Sequence, residues 1–273
     1  FVIVFLVCFG ALMVYSASCY SAKKTYNNQY FFLFKQLIGI VIGLFAMFLL
    51  SKVNYNKLSK FVPVALIISF VLLVLVFITG IGVENYGAKR WINLGFFTIQ
   101  PSEIAKFSLV LFSAHYLSKN NNKVKTFKGI IPVLLIGGLM CLLIILEPNM
   151  SITMCVGLVM VLMLVIGGMS AKHFFILLVP ALLLVPILII IEPYRFNRLL
   201  AFINPWASPK GEGYQLVQSF FSIGAGGIFG VGLFNSRQKF LFLPFAESDF
   251  IFSVIAEELG LIGATFVLIL YFV

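Results

Sequence analysis

The sequence predicts an all-α polytopic membrane protein, and three observations carry that expectation. The 273 residues are 62% hydrophobic and only 10% charged, with a mean hydropathy of +1.11, which leaves too little polar surface to coat a water-facing domain. Apolar runs of spanning length occur near 1–19, 31–50, 61–80, 100–118, 129–146, 150–167 and 173–191, and an eighth begins near 248. These runs are unbroken instead of alternating in short segments, so helices rather than a barrel are implied. Residue 1 is a Phe already inside an apolar run, and the chain stops within LIGATFVLILYFV. The expectation is therefore one transmembrane domain over 1–273, truncated at both ends.

Charge orders the connections. The links after the second, fourth and sixth runs carry Lys52, Lys57, Lys60, Lys119, Lys123, Lys125, Lys128 and Lys172. The opposite set carries only Lys23, Lys24, Lys89 and Arg90, with none around Glu147–Asn149. The positive-inside rule puts the lysine-rich links and the N-terminus in the cytoplasm and the long 192–247 segment outside. The net charge of +10 is explained by this orientation and by anionic headgroups, so no nucleic-acid partner is inferred. Cys8, Cys19, Cys141 and Cys155 have no CxxC spacing, and His115 and His173 stand alone near helix ends. No metal site is read from them.

Two outward connections are more than linkers. GVENYGAKRWINLGFFTIQPSEIAKF offers Gly87 for a turn, the adjacent cations Lys89 and Arg90, and Trp91 as an interfacial anchor. Pro101 suits the first turn of the fourth helix, where its missing N–H is harmless. Glu103 and Lys106 stand three apart, share a face and can pair; charges within a span point to a polar cavity or to a structural ion pair. The second connection has 56 residues and is too aromatic and aliphatic for disorder, so short helices on the membrane surface are expected. Its cations Arg195, Arg198, Lys210, Arg237 and Lys239 bracket apolar segments, which suits an amphiphile with a phosphate at headgroup level. GAGGIFGVG lacks the spacing and the βαβ context of a dinucleotide fingerprint, and flexibility or close packing against lipid is its expected purpose.

The stretch RQKFLFLPFAESDFIFSVIAEELG, residues 237–260, contains Asp249, the only aspartate of the chain. A carboxylate where a helix enters the membrane can be partly desolvated, which suits it to take a proton from a substrate. With Ser248 beside it, Asp249 also suits a helix cap. Were it helical, Glu257 would lie about 80° away and Glu258 about opposite, both roughly 12–14 Å deeper. Those two read as buried hydrogen-bonded charges, with Glu257 also a candidate for shaping the cavity.

GAKRWINLG, IQPSEIAKF, EPYRFNRLLAFINPWASPKGEGYQLVQS and RQKFLFLPFAESDFIFSVIAEELG resemble, in order and spacing, the SEDS family of bacterial peptidoglycan polymerases, and their wording is closest to its FtsW and SpoVE branch. The resemblance implies a SEDS-type bundle of ten transmembrane helices, about eight of them here, with a large extracellular loop between helices 7 and 8. It implies residence in the bacterial cytoplasmic membrane and polymerisation of lipid II into β-1,4 glycan strands with release of undecaprenyl pyrophosphate, in division or in related septal or spore-wall synthesis. The family's catalytic aspartate falls on Asp249. Lys89, Arg90, Lys106, Arg195, Arg198 and Lys239 are then candidates for the pyrophosphate, and Glu103 and Glu257 for the cavity. No cofactor is assigned; a divalent cation (Mg or Mn) could assist at the pyrophosphate, although the sequence shows no ligand cluster for one. The implied partners are a class B penicillin-binding protein transpeptidase and other divisome or elongasome membrane proteins. Asn149 departs from the aspartate frequent after the proline of LEPNM, and Phe245 from the Glu or Met of many members. A lipid II flippase and a non-catalytic division scaffold are the competing functions. Reporter fusions at Asn121 and Lys210 test the orientation: Asn121 is expected inside and Lys210 outside, and a cytoplasmic Lys210 overturns it.

Overall fold

The structure, a computed structural model, describes residues 1–78, 82–85, 88–93, 98–191 and 193–273, with the side chains of all but 83–85, 88–89, 181, 184–185, 188 and 194–195. The expected spans appear as α1 (Val2–Tyr26), α2 (Phe31–Ser51), α3 (Val62–Leu75), α4 (Pro101–Lys119), α5 (Phe127–Leu146), α6 (Met150–Ile166) and α7 (Ala171–Ile191). Two shorter helices, α8 (Pro193–Ile203) and α9 (Tyr214–Gly226), precede the last span, α10 (Ile251–Phe272). Among the described residues α1, α2, Tyr55–Leu75, α5 and α10 are long and apolar enough to cross a membrane. In α4 the charges Glu103, Lys106 and Lys119 and four serines dilute the apolar character.

Local chemistry sets the helix ends. Pro101 opens α4 behind an extended Gln100, as its missing N–H favours. Thr126 caps α5, its Oγ1 accepting from the N–H of Gly129 at 3.3 Å. The left-handed Asn27 (φ 52°) ends α1, whose last turn places Lys23 and Lys24 at the negative end of the helix dipole.

The chain packs as two compact units, Phe1–Lys52 with Pro186–Val273, and Val53–Val185. In the second unit α3, α4, α5 and α6 close around Leu73, Ala105, Leu109, Met140, Ile144 and Val156. Leu117, Ile130, Val133 and Leu164 fill the opposite ends of α4, α5 and α6.

The connection between α3 and α4 holds a small antiparallel sheet that the sequence did not announce: β1 (Gly82–Asn85), β2 (Ala88–Asn93) and β3 (Thr98–Ile99). Val83 faces Trp91 across β1–β2, and Ile92 faces Ile99 across β2–β3. Arg90 fastens β2 to the turn between α5 and α6: its Nε donates to the carbonyl oxygen of Glu147 at 3.3 Å, and its Nη2 donates to that of Pro148. Beneath this contact the Glu147 side chain is buried, and neither carboxylate oxygen has a hydrogen-bond partner among the described residues. Burial pushes its pKa up to about 7, against the opposing pull of the Arg90 guanidinium.

In the first unit α10 packs with α1 and with the segment following α9 around Met13, Ala17, Leu243, Ala246, Val254, Ile255 and Val267. α10 is interrupted at Gly260 (φ 67°, ψ −170°), a conformation that side chains avoid. The glycine-rich segment after α9 enters this break. The N–H groups of Val231 and Gly232 donate to the carbonyls of Glu257 and Glu258 at 2.9 and 3.0 Å, and those of Leu261 and Ile262 donate to the carbonyls of Gly227 and Ile228 at 2.9 and 3.3 Å. Left unpaired in hydrocarbon, each such group would cost about 2–7 kcal/mol. A Cβ on Gly226 would stand 2.0 Å from the Ala256 oxygen, and one on Gly230 2.2 Å from the Glu258 oxygen. The glycines therefore serve close packing against α10 rather than the packing against lipid expected from sequence.

Gly260→Ala should destabilise the protein by about 3 kcal/mol or more, whereas Gly224→Ala, where a Cβ meets nothing within 4 Å, should cost far less; equal thermal midpoints in detergent would sink this account. Glu147 carries a linkage prediction. Its folded pKa exceeds its unfolded value, so its contribution is fully present below about pH 4.5 and is lost as pH rises through about 7. Between about pH 5 and 8 the wild-type midpoint should fall on this account, and Glu147→Gln should flatten that dependence.

Candidate active site

Asp249 lies two residues before α10, not within it. The helix begins at Ile251 behind Phe250, with no side-chain cap, so Asp249 is not the cap that its residue type suggested. Its bearing relative to Glu257 is consequently not set by helical period. The side chain is exposed to solvent rather than desolvated. The turn around it is nevertheless well determined. The N–H groups of Ser248 and Phe250 both donate to the Phe245 carbonyl at 3.1 and 3.3 Å, and that of Leu243 donates to Gln238 at 3.0 Å. Leu243 and Ala246 are buried in the core of the unit, and the Tyr214 hydroxyl donates to the Phe242 carbonyl at 2.8 Å, tying the start of α9 to the same turn.

The other end of this segment is held by two carboxylates of α10. Glu257, 1% exposed, accepts from the N–H of Arg237 at 2.8 Å through Oε1, and from the hydroxyls of Ser236 and Ser222 at 2.6 and 2.9 Å through Oε2. Glu258, fully buried, accepts through Oε1 from Lys239 Nζ at 3.1 Å, the Ser16 hydroxyl at 2.6 Å and the Ser236 N–H at 3.3 Å. Lys239 Nζ also donates to the Phe234 carbonyl at 2.6 Å and to Ser16 Oγ at 3.3 Å. Glu257 is a buried hydrogen-bonded charge, as its sequence position suggested, and its contacts are these anchoring bonds rather than the wall of a cavity. Lys239, 4% exposed, spends its three donors inside the protein and has none left for a pyrophosphate. Removing one partner from such a buried pair costs about 3–5 kcal/mol, because the other charge stays stranded. Sequence reading overlooked Ser16, Ser222 and Ser236; small hydroxyls in apolar helices, which recur as interhelical hydrogen-bonding groups, were the available signal.

α8, residues 210–212 and the start of α9 line an open cavity of about 520 Å³, whose walls include Arg198, Lys210, Glu212, Tyr214 and Pro244. Pro244 belongs to the segment carrying Asp249. Arg198 lies 3.9 Å from Glu212, both side chains being exposed, so the pair is loose and solvent-screened. In the second unit Lys106 and Glu103 pair at 2.8 Å on one face of α4, as their spacing suggested. Arg90 donates to the carbonyls of Glu147 and Pro148 described above instead of pointing free. The Lys89 and Arg195 side chains lie outside the described residues. Among the described residues no three His, Cys, Asp or Glu side chains gather as metal ligands, so the donor set does not fit a metal held by protein alone.

The FtsW/RodA/SpoVE family of cell cycle proteins matches residues 1–273. The stage V sporulation protein E of Bacillus subtilis (strain 168) is 39% identical over 264 residues, covering 96% of this chain and 72% of its own. The probable peptidoglycan glycosyltransferase FtsW of Geobacter metallireducens is 38% identical over 259 residues, covering 94% and 69%. Among solved structures, a chain of a peptidoglycan synthase complex that coordinates polymerization and crosslinking superposes with a TM-score of 0.67 at 27% identity, over 98% of this chain and 74% of that one. The rod shape determining protein RodA of Thermus thermophilus shares the fold, with a TM-score of 0.61 at 22% identity over 98% and 70%. A polytopic bundle with two short helices before its last span, and a lone aspartate on an anchored turn at that span's entrance, thus meets a full-length family match: the chain belongs to the FtsW/RodA/SpoVE family of membrane proteins.

Proposed function

We propose that the protein is a peptidoglycan glycosyltransferase that polymerises lipid II on the outer face of the cytoplasmic membrane, with Asp249 as its general base. The observation that carries this is the setting of Asp249: the only aspartate of the chain, exposed on a turn fixed at both ends, whose segment also walls a cavity bearing Arg198 and Lys210. The 4-hydroxyl of one lipid-linked GlcNAc attacks C1 of the MurNAc of another. Its proton passes to the Asp249 carboxylate as the O–C1 bond forms, because a hydroxyl is a poor nucleophile until its proton has somewhere to go. The C1–O bond to undecaprenyl pyrophosphate breaks, and the electron pair leaves with the pyrophosphate. The cations Arg198 and Lys210 offset that growing charge, with Arg195 as a further candidate. A single displacement inverts the α-linked donor to a β-1,4 product. An exposed carboxylate needs the substrate itself to exclude water from it, which two amphiphiles converging on the turn would do.

The interrupted α10 is the feature that would suit a flippase. Its freed backbone groups are already paired with residues 227–232, which favours the enzyme. The solved relative in a complex that couples polymerization to crosslinking supports a transpeptidase as partner. The test is lipid II polymerisation by the full-length protein with that partner, read as glycan strands on a gel. Asp249→Asn, at equal membrane insertion, should lower the rate by at least about 100-fold. Equal strands from both forms would remove Asp249 from the chemistry, and none from either would favour the flippase or scaffold.

A further inference from the structure

The segment from Ser236 to Phe250 leaves α10 and returns to it, and its two ends are held differently. Its C-terminal end continues covalently into the helix. Its N-terminal end is attached to the same helix through the side chains of Glu257 and Glu258, by the N–H and hydroxyl of Ser236, the N–H of Arg237 and the Nζ of Lys239. Ser16 joins α1 to the same cluster, donating to Glu258 and accepting from Lys239. The Lys239–Glu258 contact is the one ion pair of this cluster, and both side chains are almost wholly buried. A buried ion pair is seldom the most stabilising choice for its volume, and its best-attested use is to fix one geometry among several.

We propose that Lys239 and Glu258 are positioning residues, a clasp that closes the 239–249 loop onto α10 and thereby holds Asp249 in its working place. The inference rests on Asp249 being the base. Without the clasp the loop keeps its covalent end, the hold of Glu257 on Ser236 and Arg237, and its buried Leu243 and Ala246, so it stays folded; the stretch from Gln238 to Phe242 gains freedom, and Asp249 samples positions away from the attacking hydroxyl. Displacement of a catalytic group by about 1 Å can lower a rate about 100-fold without weakening substrate binding. The glycine pairing across the break of α10 involves only backbone groups and survives loss of the ion pair.

The experiment compares the full-length protein with Lys239→Met/Glu258→Gln, a double variant that leaves no stranded charge. Three quantities are read: the thermal midpoint in detergent, amide hydrogen exchange over residues 240–250, and kcat and KM for lipid II. The clasp predicts a midpoint close to wild type, exchange over 240–250 faster by about tenfold with α1 unchanged, and kcat reduced by about 100-fold at a KM within about twofold. Single Lys239→Met should be worse than the double in midpoint, since it strands Glu258. Unchanged exchange and unchanged kcat in a folded double variant overturn the proposal, as does a loss of rate that appears wholly in KM. An active Asp249→Asn alongside altered exchange in the double variant would instead remove the base assignment and leave the clasp as a loop anchor.

Discussion

A helix that stops hydrogen-bonding among apolar residues must find other partners for its backbone, and α10 finds them in residues 227–232. This exchange governs the first unit. It demands glycine at 226 and 230, because backbone meets backbone there, and at 260, where φ is positive. It also presents Glu257 and Glu258 on the last turn before the break, where their side chains collect Ser222 from α9, Ser16 from α1 and Ser236, Arg237 and Lys239 from the segment leading to the active turn. Two carboxylates in an apolar helix would be prohibitive alone; paired with six donor contacts they become the knot of the first unit.

The division of labour among the acids follows from where each sits. Glu257 is buried and accepts on both carboxylate oxygens, and Glu258 is buried and accepts three times on Oε1, so they hold. Asp249 is exposed on a turn held by others, so it is available to a substrate. Glu103 keeps Lys106 on one face of α4, while Glu147 sits protected under the Arg90 contact that pins the small sheet. The same carboxyl group thus anchors, pairs or stands exposed according to the fold and the donors around it.

Much was legible beforehand. Long uninterrupted apolar runs can satisfy their backbone only as helices, and each of the eight runs holds a helix with boundaries displaced by a few residues, five of them, among the described residues, long and apolar enough to cross a membrane. The short helices of the 192–247 segment followed from its aromatic and aliphatic content. Pro101 at a helix start and the Glu103–Lys106 pair followed from spacing alone, because both are local. The sheet at 82–99 was not visible, since its strands are short and their pairing register depends on partners across turns. Lys239 was misassigned for a related reason: a lysine beside an aromatic segment looks interfacial until the fold brings Glu258, 19 residues on, and Ser16, 223 residues back, within reach of its Nζ.

The sequence by itself determined that the chain spans a membrane as helices, which family it resembles, and that its single aspartate stands where the last span begins. These are properties of composition, run length and local order, which do not depend on which segments meet. Only the tertiary structure decided that Asp249 is exposed on an anchored turn rather than capping a helix, that Gly226 and Gly230 pack against a broken helix, and that Lys239 is buried in an ion pair with Glu258. Each of those depends on long-range pairing of buried polar groups, whose partners are chosen by packing and not by neighbours in the chain.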